Sequence, residues 1–207
     1  MRDKWYSDHR DLVKWATLVH LAQLSQIDSV IQVAFYESDH AKLKLTVSNT
    51  DVPFPSEVLS HFRNLENVKR LGRLARLTIR IFKEPFCDVL KGTDKREVRR
   101  RYFERAMSVA NAFRPKPIIF FLDPDTGMAP KNFSRKHITA EEMGDVFRDL
   151  KRGDWLVFYQ HARRASGWRM STGVAFARSI GMKRREILVC HCEDVARDVV
   201  FFAARKK

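Results

Sequence analysis

The sequence predicts an α/β fold, a doubly wound and mostly parallel sheet that ends in an antiparallel hairpin. Three observations predict it. Within KPIIFFLDPDTG, the five residues Ile118 to Leu122 are apolar without a polar break, which marks a strand buried on both faces. Segments of strand character alternate along the chain with segments of helical spacing, the pattern of a parallel sheet with crossover helices. The last two strand segments, EILVCH and DVVFFA, are separated by about six residues, too few for a crossover and enough for a hairpin.

Each element has its own signal. Residues 8–24 place Leu12, Trp15, Ala16, Val19 and Ala22 at helical spacing, with Asp8 as N-cap and Asp11 in the first turn. Lys14 follows Asp11 by three residues and shares its face. Ser29 to Glu37 is rich in β-branched and aromatic residues and reads as a strand with Glu37 at its carboxyl end; Leu43 to Val47 reads as a short edge strand. A turn region with Pro53 and Pro55 leads to a helix over 56–71, with Ser56 as its cap, and then to a strand from Leu77 to Phe82. Residues 94–113 form a long basic helix whose apolar side takes Val98, Tyr102, Met107, Val109 and Phe113. Thr139 and Glu142 form a capping box for a helix that runs to about Lys151. Gly153 breaks it, and a strand from Trp155 to Tyr159 closes at Gln160 and His161. A helix over 168–180 precedes the terminal hairpin, and residues 1–207 read as one domain.

Charge bounds the partners. Lys and Arg number 39 against 25 acids, a net charge of +14, which points to a polyanion and foremost to nucleic acid, with a protein partner as the other option. No apolar run reaches the roughly 18 residues that span a bilayer, so no membrane partner is expected. The first residues, MRDKWYSDHRD, lack a secretory apolar region, and three cysteines make no disulfide framework; both features suit the cytoplasm. Cys190 and Cys192 flank His191 with a spacing too short for paired zinc ligands, so no metal site is assigned to them.

Two carboxylates, Asp123 and Asp125, stand where the buried strand turns polar, with Pro124 between them and Gly127 beyond. Open α/β sheets place their ligands at such carboxyl ends. Gln160 and His161 end the next strand and fall near the same place if the two strands are neighbours. For nucleic acid, the helix over 94–113 offers Lys95, Arg96, Arg99, Arg100 and Arg101, with Tyr102 and Phe103 as interleaved stacking surface; its alternative is a solvated face paired with Glu97 and Glu104. The basic loop 128–137 adds Lys131, Arg135 and Lys136, and Arg163 and Arg164 follow the strand that ends at His161.

The element order resembles the class I S-adenosylmethionine-dependent methyltransferases. Asp123-Pro124-Asp125-Thr126 is placed like their amino-methyltransferase motif Asp-Pro-Pro-Tyr. Asp8-His9-Arg10-Asp11-Leu12-Val13-Lys14-Trp15 is similar to the Asn-His-Ala-Asp-Val-Leu-Lys-His opening of bacterial large-subunit ribosomal RNA adenine methyltransferases. It is similar also to the openings of bacterial proteins that carry Asp-Pro-Asp-Asn-Gly followed by a strand ending in Gln-His and then Arg, as Gln160-His161-Ala162-Arg163 does here. The resemblance implies methyl transfer from S-adenosylmethionine to an exocyclic amine of a nucleic-acid base, RNA ahead of DNA. It places Asp123 and the Pro124 carbonyl on the amine; Asp125 is a candidate from its own place at the strand's carboxyl end. Asp11 and Lys14 would line the cofactor or substrate side. Glu37 would bond ribose hydroxyls.

Three departures keep other readings open. Asp125 replaces the motif's second proline; Thr126 stands where the motif has a stacking aromatic, leaving Phe133, Trp155 or Tyr159 to supply one; and residues 35–40 contain no glycine for close approach to a cofactor. A catalytically degenerate fold that binds nucleic acid or protein is one alternative. The other is a metal-dependent nuclease, with Asp123 and Asp125 holding Mg²⁺ together with Glu37, Glu141, Glu142, Gln160 or His161.

Overall fold

The structure is a computed structural model, and it describes residues 8–36, 44–47, 50–53, 65–86, 94–130 and 134–207. Glu37, Ser56, Cys87, Lys131 and Phe133 lie outside the described residues.

Six strands form the main sheet: β1 (Ser29–Val33), β4 (Thr78–Phe82), β5 (Ile119–Leu122), β8 (Trp155–His161), β9 (Leu188–Cys192) and β10 (Ala196–Arg205). Their order is β4-β1-β5-β8-β10-β9. The first four run parallel, and β10 enters antiparallel between β8 and β9. The fold is thus α/β with a mostly parallel sheet closed by an antiparallel hairpin. Two short ribbons stand apart: β2 (Lys44–Val47) with β3 (Thr50–Pro53), and β6 (Gly127–Met128) with β7 (His137–Ile138). The segment expected as an edge strand therefore belongs to its own hairpin, and part of the expected turn after it is strand.

Among the described residues five α-helices cover the sheet: α1 (His9–Ser25), α2 (Val68–Ala75), α3 (Lys95–Asn111), α4 (Ala140–Asp149) and α5 (Trp168–Ser179). Asp8 caps α1 by accepting from the Arg10 and Asp11 amides, and the Thr139–Glu142 capping box opens α4. Alternation along the strands sorts the core into two layers. Val30, Ile119, Phe121, Val157 and Phe201 face α1 and α2. Ile31, Val33, Phe120, Leu122, Phe158 and Phe202 face α3, α4 and α5. Among the described residues no helix is long and apolar enough to cross a membrane.

The buried stripe of α3 differs from the expected one. It carries Arg99, Tyr102, Phe103, Ala106, Met107 and Ala110, while Val98, Val109 and Phe113 are only half-buried. Tyr102 and Phe103 pack with Phe35 and Phe86 in an aromatic cluster, so they are core residues and not a stacking surface.

Candidate functional site

The side-chain alternation that builds the core also builds the site. Phe121 faces α1, so Asp123, two residues on, faces α1 as well. Gln32 shares the side of Val30, and His161 shares the side of Val157 and Tyr159. All of these emerge at the carboxyl end of the sheet, under the first turns of α1.

The centre is a buried charge cluster. Lys14 Nζ donates to Asp11 Oδ1 at 2.6 Å and to Asp123 Oδ2 at 3.0 Å. Gln32 Nε2 donates to the same Asp123 oxygen at 2.7 Å. Asp11, Lys14, Gln32 and Asp123 are each buried. Among the described residues both donors to the Asp123 side chain converge on Oδ2, which leaves Oδ1 to the cleft that Asp123 lines. The main-chain N–H of Asp123 donates to Val33 O at 3.0 Å and locks the turn to β1.

Two carboxylates share one ammonium in this cluster, and the electrostatics follow. Burial raises the Asp123 carboxyl above its ordinary range, and the neighbouring Asp11 charge pushes the same way against the pull of Lys14. For Lys14 burial acts to lower the pKa, but the charges of Asp11 and Asp123 outweigh it and the pKa is raised. Tyr159, whose ring lies 5.9 Å from Lys14 Nζ, is also raised, foremost by burial.

The cluster opens into a cleft of about 350 Å³. Its walls are Asp8, Arg10, Asp11 and Lys14 from α1, Asp123 to Thr126 from the turn after β5, Lys136, and Tyr159 and His161 from β8. A second set of contacts ties the rim together. Arg10 donates through Nε and Nη2 to Asp198 Oδ2 at 2.9 and 2.6 Å, and His161 Nε2 lies 3.2 Å from the same oxygen. The turn itself is pinned by Thr126, whose hydroxyl donates to Lys136 O at 2.9 Å.

Of the residues singled out in the sequence, Asp11, Lys14, Asp123, Pro124, Asp125, Lys136 and His161 meet in this cleft. Gln160 does not. Being next to His161 in a strand, it points to the opposite face, where its Oε1 accepts from Met128 N at 2.9 Å and its Nε2 donates to Thr126 O at 3.0 Å. It braces the β5–β6 turn from behind. Gly127 is required there: its φ is 111°, and a Cβ would collide with the Gln160 side chain. Of the three aromatics, Tyr159 lines the cleft, whereas Trp155 sits at the opposite end of β8.

The basic helix is mostly compensated. Arg99 is buried, its guanidinium holding both Glu142 oxygens, donating to His137 O at 2.8 Å and lying 4.5 Å from the Phe86 ring centre. It joins α3 to α4 and presents no charge to a partner, a correction to its placement on a phosphate-tracking face. Arg100 pairs with Glu97 and Glu104, and Arg101 with Glu97. Lys95 is half-buried and Arg96 exposed. Arg135, Arg163 and Arg164 are exposed, with Arg163 Nη2 donating to Met128 O at 2.5 Å. Glu142, consumed by Arg99 and its own helix cap, is on the α3 side of the sheet and cannot join Asp123 around a metal. Cys190 and Cys192 pack against the α1-side core, and among the described residues no three His, Cys, Asp or Glu are arranged to hold a metal.

The sequence reading missed Gln32 and the Arg10–Asp198–His161 contacts. Gln32 had a signal: it is the one amide in the apolar strand SVIQV, and a buried polar residue needs a partner. Asp198 had none, since its contact with Arg10 joins residues 188 positions apart.

No protein-family model, curated protein or solved structure matches this chain.

Proposed function

We propose that the protein transfers a methyl group from S-adenosylmethionine to an exocyclic amine of a nucleic-acid base, RNA ahead of DNA. The observation that carries this reading is the buried Asp123, which lines the cleft beside Pro124 and whose side-chain donors among the described residues, Lys14 and Gln32, both use one oxygen and leave the other as an acceptor. An amine nitrogen attacks only when its lone pair is aimed at the electrophile, so its hydrogens must be held elsewhere. Asp123 Oδ1 and the Pro124 carbonyl are acceptors of the right kind on adjacent residues, and rigid placement is a main source of rate. Tyr159 and His161, from the neighbouring strand β8, supply ring surface in the same cleft.

The cofactor's amino-acid end carries a carboxylate and an ammonium. Lys14 and Asp11, on one wall of the cleft, are the complementary charges. When bound, S-adenosylmethionine supplies an electrophilic methyl group. The closing hairpin, with β10 between β8 and β9, also supports this reading.

One observation favours a second reading, a fold of the same kind that binds nucleic acid without catalysis. After β1, where a glycine-rich turn would admit a cofactor, Phe35 takes φ 47° and its ring fills the aromatic cluster with Phe86, Tyr102 and Phe103. Incubation with methyl-labelled S-adenosylmethionine and RNA or single-stranded DNA separates the two. The methyltransferase reading expects label in the nucleic acid with the native protein, and a loss of at least about 10²-fold in Asp123→Ala. Undiminished transfer by Asp123→Ala would remove Asp123 from the mechanism.

A further inference from the structure

The charge that α3 does not present is found on the other flank of the sheet. Helix α2 and the edge strand β4 carry Lys69, Arg70, Arg73, Arg76, Arg80 and Lys83, all exposed. Lys69 and Lys83 share a single acid, Glu66. Arg70, Arg73 and Arg76 on α2, and Arg80, which points from the edge strand toward the other face of the sheet, have no carboxylate partner among the described residues. Most arginines of α3 differ: Arg99, Arg100, Arg101 and Arg105 each hold a glutamate, and among the described residues only Arg96 at its start has no carboxylate partner.

We infer that the α2–β4 edge is a phosphate-binding surface that holds the nucleic-acid strand while a base reaches the Asp123 cleft. The inference rests on the nucleic-acid reading of that cleft. Arg70, Arg73 and Arg76 follow one another every three residues, so they span about 9 Å along the helix and its C-cap, the reach of two to three nucleotides of a stacked strand. Uncompensated guanidinium groups are the side chains that take phosphate oxygens two at a time. The Glu66 link from Lys69 to Lys83 ties the start of α2 to the carboxyl end of β4, the end of the sheet at which Asp123 lies. Only β1 separates β4 from β5, a lateral step of about 10 Å. A backbone lying on this edge therefore passes within a few nucleotides of the cleft.

An anionic membrane is a poorer match. The helix has two turns and one large exposed apolar side chain, Leu74, too little apolar face for interfacial insertion.

The test is the salt dependence of binding to a fluorescent single-stranded RNA 20-mer, comparing the native protein, R70Q/R73Q/R76Q/R80Q and R100Q/R101Q. All four substituted residues of the first variant are exposed, and equal melting temperatures will show that its fold is intact. The proposal expects the slope of log K against log salt to fall in magnitude by about 3 in the quadruple variant. In the double variant, whose arginines are already neutralised, the slope stays near the native value. An unchanged slope in the quadruple variant overturns the proposal, as does capture by phosphatidylserine vesicles with no binding to the RNA. Calorimetry with S-adenosylmethionine on the same quadruple variant reports on the cleft alone, so failure of the edge and failure of the cleft are told apart.

Discussion

Asp123 and Asp154 are two buried aspartates at opposite ends of neighbouring strands, and they do different work. Asp154, before β8, is saturated: Arg114 donates to both its oxygens at 2.8 and 2.7 Å, and the amides of Ile118 and Lys151 donate at 3.0 and 2.8 Å. Nothing about it is left for a ligand. Asp123, after β5, spends one oxygen on Lys14 and Gln32 and lines an open cleft with the rest. Burial alone therefore does not mark a functional carboxylate; unspent acceptor capacity at the mouth of a cleft does.

The contrast can be broken first at its structural end. Asp154→Ala leaves Arg114 and two backbone donors without partners, and a loss of about 3–5 kcal/mol in denaturant unfolding is expected. That corresponds to a melting temperature lower by roughly 10 °C. The methyl-transfer reading expects S-adenosylmethionine affinity of the folded fraction to stay unchanged. At the other end, Lys14→Met leaves Asp11 and Asp123 facing each other without a cation, with an expected cost of about 3 kcal/mol. The double variant Lys14→Met/Asp123→Asn should recover part of it, because the repulsion is then gone. Equal stability of the single and double variants would mean that the two carboxylates do not interact. Gln160→Ala removes the acceptor of a buried amide and should cost about 1–3 kcal/mol without touching the cleft face.

The smallest effect is the most specific. Burial raises Asp123 above the ordinary 3.8, so the folded protein binds its proton more tightly than the unfolded chain. Stability is then lost as pH rises from about 3.8 through the raised value. Asp123→Asn removes that loss: it should be slightly more stable than the native protein at pH 7, with the gap closing toward pH 4. On the methyl-transfer reading activity runs the other way, because that reading needs a charged acceptor. Transfer should fail on acidification at a higher pH than an ordinary aspartate would set.

Much of the fold is legible because it follows from period and caps. The apolar run at Ile118–Leu122, the Asp8 cap and the Thr139–Glu142 box each act within a few residues, and each appears where the local chemistry puts it. The charge of α3 was not legible as a total. Arg99 precedes Tyr102, Phe103 and Ala106 by three, four and seven residues, so it shares their buried stripe, and that spacing outweighs its membership of an arginine cluster. Arg70, Arg73 and Arg76 are fewer and more scattered in sequence, yet they face solvent without a carboxylate partner among the described residues. For the site, the resemblance to the methyltransferases brought Asp11, Lys14 and Asp123 together, and the structure places them in one cluster. The Arg114–Asp154 pair lay beyond sequence reasoning, since nothing local links residues 40 positions apart.

The most direct test of the Asp123 cleft is calorimetric titration of S-adenosylhomocysteine into the native protein and into Lys14→Met. Micromolar binding by the native protein, lost in the variant, is the predicted result. Absence of binding to the native protein would contradict the cofactor reading and favour the non-catalytic one.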